Sequence, residues 1–219
     1  MRRLRCVLCM AALALAGCAG GPRAPDWQIE AQGAAERFSS DYLQGQRAAE
    51  AQWQRLRWAL AATADPQRLA RAELLRCALE VASLNWQPLC AGFDALKDRA
   101  SPGERAYAEY LQGRWTAQDL PTLGPAQRQV AQQGLRALPD LQDPLSRLLG
   151  AAVLLRSGSI GPAAQDALIS LAVDTASAQG WRRPLRAWLG LQRDRAQAQG
   201  RSDQADRIRQ RLALLEESP

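Results

Sequence analysis

The chain has 219 residues, 28 of them basic and 22 acidic, and no histidine. That absence removes Ser-His-Asp and Cys-His nucleophilic machinery, histidine general bases and histidine-rich zinc sites, so no catalytic group, metal or cofactor is expected. One lysine, Lys97, stands beside 27 arginines, which reads as genome composition, and no nucleic-acid partner is expected. No glycine-rich phosphate loop occurs, so no small-molecule substrate is inferred.

At the start of the chain, Arg2, Arg3 and Arg5 precede an apolar run from Cys6 to Ala16. A basic segment, a short apolar run and then small residues form the layout of a secretory signal. The run falls short of the roughly 20 residues that span a bilayer. Leu15-Ala16-Gly17-Cys18 resembles the bacterial lipobox. The resemblance implies that residues 1–17 are a signal peptide and that Cys18 is the lipidated N-terminus of the mature protein. Ala19, where aspartate would favour the inner membrane, implies the outer membrane facing the periplasm. Residues 18–25, with Gly20, Gly21, Pro22 and Pro25, read as a lipidated tether, and 26–219 as one domain. Without residues 1–17 the chain keeps 25 basic against 22 acidic residues, a net charge of +3.

From residue 26 onward the periodicity is helical. Trp27, Ala31, Ala34, Phe38 and Tyr42 share one helix face, as do Ala49, Trp53, Leu56 and Leu60. Asp65-Pro66, Ser101-Pro102 and Asp143-Pro144 each pair an N-cap side chain with proline at the first helical position. Glu104, three residues after Ser101, completes a capping box. Gly45, Gly113, Gly180 and Gly200 suit left-handed helix ends. These signals predict helices near 27–44, 46–63, 66–84, 88–99, 102–112, 125–137, 144–157, 162–179, 182–199 and 203–217. No stretch alternates with period two, so the fold class is all-α, built of antiparallel helical hairpins.

Tyr42-Leu43-Gln44-Gly45 recurs as Tyr110-Leu111-Gln112-Gly113, twice the 34-residue tetratricopeptide period later. The segment from Tyr42 to Pro66, with Ala49 and Trp53 on its second helix, resembles a tetratricopeptide repeat. A degenerate repeat array and an irregular helical bundle both fit the pattern. The combined resemblance is to outer-membrane lipoproteins with tetratricopeptide-like domains. It implies a scaffold or adaptor that binds another envelope protein, held to the membrane by its lipid. A cell-wall enzyme and a structural lipoprotein without a stable partner are the alternatives.

Four groups of residues are candidates for a site. Cys77 and Cys90 are the only thiols left after processing and lipidation, an even pair in an oxidising compartment that invites a disulfide. Two buried thiols are the alternative, because the predicted helices set the pair at levels several ångströms apart unless the turn lies near Ser83. Trp58 and Trp115 fit their apolar stripes less well than Trp53, Trp181 and Trp188, and are candidates for a partner groove. Arg182, Arg186 and Arg193 share a helix face, as do Arg207 and Arg211. They mark either a basic docking surface or the solvated side of the last hairpin. Glu73 with Glu80, and Glu104 with Glu109, are the carboxylate pairs that an enzyme could use, without a recognisable catalytic context.

Overall fold

Helix starts follow the caps written in the sequence. In a computed structural model, residues 24–86 and 90–217 are described, and the expected signal peptide, Cys18 and most of the expected tether lie outside them. Ten α-helices follow in order: α1 (Asp26–Gln44), α2 (Ala48–Ala61), α3 (Pro66–Ala82), α4 (Ala91–Asp94), α5 (Pro102–Leu111), α6 (Pro125–Gln133), α7 (Pro144–Ser157), α8 (Pro162–Ala178), α9 (Arg182–Ala198) and α10 (Ser202–Glu217). Among the described residues there is no strand, and no helix is long and apolar enough to cross a membrane. Asp65 and Asp143 accept hydrogen bonds from first-turn amides of α3 and α7, and Ser101 and Glu104 form the reciprocal capping box of α5.

Two helices depart from the periodicity. The predicted helix over 88–99 is a single turn, α4, followed by a 3-10 turn at Lys97–Arg99. Its register is overridden from outside, because Cys90 is held to α3 at a left-handed φ of 52°. The helix predicted over 125–137 ends at Gln133. Gly134 takes φ 62° there, and Pro139 has no N–H to continue an α-helical ladder, so Gly134–Asp140 tightens into 3-10 geometry.

Two buried helices organise the rest. On α3, Ala72 and Leu79 pack into a cluster with α1 and α2, while Leu74, Cys77, Ala78 and Val81 belong to the larger cluster on its other side. On α7 every residue from Leu148 to Leu154 is buried, the mark of a helix surrounded by neighbours. Gly150 allows the closest approach on α7: a Cβ there would come within 2.8 Å of the Leu138 side chain. Neighbouring helices form packed hairpins, with α1 on α2 and α7 through α10 each on the next.

Both Tyr-Leu-Gln-Gly copies adopt one conformation. Tyr and Leu are buried in the last turn, and the glycine is left-handed, at φ 76° for Gly45 and 74° for Gly113. After Gly45 a second helix follows at once, whereas after Gly113 the next α-helix starts only at Pro125. The motif therefore ends a helix in both places and opens a hairpin in one.

Gly113 has a second constraint that Gly158 lacks. A Cβ on Gly113 would lie 2.8 Å from the Ser157 backbone nitrogen, while one on Gly158, also left-handed at φ 68°, meets nothing within 4 Å. Both alanine substitutions bring the positive-φ cost, on the order of 1 kcal/mol. Gly113→Ala should lose at least about 1 kcal/mol more than Gly158→Ala in urea denaturation, because backbone cannot swing aside as a side chain can. Equal losses would mean that the α5–α7 contact is not the constraint.

Candidate protein-binding groove

The C-terminal ends of three helices meet at one place. The last turn of α3 gives way to Leu84 and Trp86, Gln112 caps the end of α5, and Leu155 and Arg156 lie in the last turn of α7. With Leu191 of α9 they line an open, shallow groove of about 640 Å³. The Arg156 guanidinium lies 5.3 Å from the Trp86 ring centroid, and its Nε donates to the Gln112 carbonyl at 3.2 Å. A cation suits this position, because helix C-termini concentrate partial negative charge. The Trp86 indole N–H is buried and has no acceptor among the described residues. Apolar walls beside one fixed guanidinium suit an apolar side chain with a carboxylate or carbonyl oxygen next to it.

The turn that carries Leu84 and Trp86 is fastened from both sides. Ser83 and Leu84 begin the turn directly after Ala82, with Leu84 at φ 55°. Cys77 and Cys90 are joined as a disulfide with Cα atoms 4.9 Å apart. The level mismatch of the predicted helices is absent, since α3 ends early and Cys90 precedes α4 instead of lying inside a helix.

The other sequence candidates are dispersed. Trp58 is 81% exposed on α2, while Trp115 is half-buried with its ring 5.7 Å from that of Tyr110, and neither lines the groove. Trp53 and Trp188 are core residues as their stripes predict, whereas Trp181, expected in the core with them, is half-buried against it. Arg182 donates to the Leu215 carbonyl, Arg186 pairs with Glu216 at 2.8 Å, and Arg193 pairs with its neighbour Asp194 at 2.7 Å. Arg207 and Arg211 are exposed on α10. A smaller concavity of about 220 Å³ between α8, α9 and α10 contains Asp166 and Arg201, which satisfy each other at 2.9 Å. Trp86, Arg156 and Leu191 have no local sequence signal, because only tertiary packing brings them together.

The carboxylate pairs are each engaged by arginine. Glu80 meets Arg76 at 3.1 Å, Glu109 meets Arg114 at 2.9 Å, and Glu104 accepts from Arg71 and the Ser101 amide. Glu73 is the buried one, 3.7 Å from Arg57. Its carboxylate fills the space a side chain on Gly92 would need, with Oε2 only 2.0 Å from that Cβ position. Burial pushes the Glu73 carboxyl above its ordinary range; Arg57 and Arg76 pull it down, and Glu80 pushes it up again.

Comparison with protein-family models, curated proteins and solved structures finds no match. The reading of the groove therefore rests on its own geometry.

Two measurements test the packing around it. The Cys77–Cys90 bridge spans a separation of 13 residues and should contribute about 3 kcal/mol by loop-closure entropy. Reduction should therefore lower the melting temperature while leaving the far-ultraviolet circular dichroism helical below the transition. An unchanged melting temperature would show that the bridge does no stabilising work.

The Glu73 carboxyl gives a signed pH effect. A folded-state pKa above the unfolded one favours the protonated form, so this contribution is present at low pH and lost as pH rises through the Glu73 titration. Glu73→Gln has no such loss. The melting temperature of the variant, relative to the parent, should rise between pH 4 and pH 7. A constant difference across that range would contradict the burial cost.

Proposed function

We propose that the protein is a lipid-anchored adaptor of the bacterial cell envelope, which binds a peptide segment of another envelope protein in the groove between α3, α5, α7 and α9. The observation that carries this is the apolar wall of Leu84, Trp86, Leu155 and Leu191 beside the Arg156 guanidinium, which the Trp86 ring and the Gln112 carbonyl hold in place. A guanidinium fixed beside apolar surface suits a peptide that brings an apolar side chain next to a carboxylate or carbonyl oxygen. The lipobox resemblance supplies the location: Cys18 takes the lipid, and the tether to residue 25 leads straight into α1.

The test uses the full precursor in cells. Cys18→Ser should abolish palmitate incorporation; labelling that persists would remove the anchor. A photoreactive amino acid at Leu191 should form a discrete protein adduct that Arg156→Glu eliminates while circular dichroism stays that of the parent. An adduct indifferent to Arg156→Glu, or none at all, would remove the groove from the binding surface.

A further inference from the structure

Among the described residues three large apolar side chains are exposed: Ile29 at 50%, Trp58 at 81% and Leu214 at 64%. Two of them lie at one end of the α1–α2 hairpin. Phe38 faces Trp53 with ring centroids 5.2 Å apart, and the Arg37 Nε donates to Gln52 at 3.1 Å, which fixes the antiparallel register. Counting from those pairs, Trp58 is level with Ala31 to Gly33, and Ile29 is level with Leu60 to Ala62. At 1.5 Å per residue, both stand within roughly 10 Å of the open end of the hairpin.

That end is where the chain arrives from Cys18. Asp26 is eight residue steps from Cys18, and at no more than about 3.5 Å per step the link reaches less than about 30 Å. Leu214 lies elsewhere, near the end of α10 where Arg182 holds the Leu215 carbonyl, and the next residue, Arg183, holds the carbonyl of Tyr42 at the far end of α1. The surroundings of Trp58 also fit a lipid surface. Gln54, Arg55, Ala61 and Ala62 are its exposed neighbours on α2, and Arg55 has no ion pair among the described residues. Indole prefers the headgroup layer of a bilayer, and arginine can keep its charge in water while its stem lies on apolar surface. Trp27, half-buried beneath Arg68 at 4.5 Å, is at the same end.

We infer that this end of the α1–α2 hairpin, through Trp58 and Ile29, rests on the phospholipid surface to which the protein is anchored. The contact rests on the lipidation of Cys18 proposed above. It orients the domain, because a tether alone leaves rotation free whereas a second contact restricts it. The groove would then face away from the bilayer.

The lipidated mature protein is reconstituted into vesicles of phosphatidylethanolamine and phosphatidylglycerol, with or without brominated phosphatidylcholine. Brominated lipid should quench part of the tryptophan emission of the parent, and Trp58→Phe should reduce the quenched fraction by half or more. Vesicle flotation reads the anchor separately. Protein that floats and is quenched equally in parent and variant overturns the contact alone. Protein that does not float overturns the anchor, and the contact with it. A photoreactive residue at position 58 should crosslink phospholipid; crosslinking to a protein and not to lipid would also overturn the inference.

Discussion

Helix α3 ends inside the protein, and the last four carbonyls of any helix have no partner within it. Three of those in α3 are satisfied by its own turn: the amide of Ser83 serves Leu79 and Glu80, Leu84 serves Val81, and Asn85 serves Glu80 again. Ala82 is left over, fully buried and out of reach of water. The indole of Trp188 donates to it at 3.0 Å. Leaving that carbonyl unmet would cost on the order of 1–3 kcal/mol, a large share of the stability of a typical domain. The bond therefore dictates where α9 crosses the end of α3, and so where Leu191, one turn further along, can form a wall of the groove.

Arginine solves the same problem at other helix and turn ends. Arg183 donates to the Tyr42 carbonyl at the end of α1, Arg156 to Gln112 at the end of α5, and Arg182 to Leu215 in α10. Arg147 serves the Leu141 carbonyl, and Arg128 those of Leu120 and Leu123. A guanidinium offers five donors in a rigid plane and keeps its charge, so it can reach across to an orphan carbonyl without a large penalty. The arginine-rich stretch in α9 and α10 reads differently in this light. Arg182, Arg186 and Arg193 share a face by spacing, yet each has an intramolecular partner, and Arg195 and Arg201 converge on Asp166. Most of the arginines in this stretch have intramolecular partners, and Arg207 and Arg211 extend from α10 with no bond or ion pair among the described residues.

Local chemistry was legible in the sequence, and non-local chemistry was not. Asp65, Ser101 and Asp143 place helix starts correctly because a cap needs only residues two or three positions away. The seven buried residues of α7 lie within the predicted 144–157 because an apolar run inside firm boundaries has few other solutions. The segment from Cys90 misled because its conformation is imposed by Cys77, thirteen residues before Cys90, and by the Glu73 carboxylate pressed against Gly92. Periodicity carries no information about either. The groove was invisible for the same reason: its six lining residues come from four helices or their ends. Trp58 and Trp115 were set apart by one criterion, a poor fit to an apolar stripe. Only packing distinguishes the exposed ring of the first from the second, which leans on Tyr110.

The relation of the two ends follows from helix direction. Trp27 in the first turn of α1 stacks with Arg68 in the first turn of α3, while Tyr42 near the end of α1 meets Asn85 just beyond the end of α3. The two helices therefore run parallel, and the 17 residues of α3 separate their starts from the groove by about 25 Å. A lipid on Cys18 would confine the groove to a shell around 50 Å deep, the sum of that length and the reach of the tether. A partner in the same shell is met at an effective concentration set by geometry and not by the bulk. A shallow, open groove with one fixed guanidinium would be adequate for the proposed partner under that condition, because tethering would supply what depth and area otherwise have to. An untethered domain with the same groove would need a more enclosed pocket to hold the same peptide.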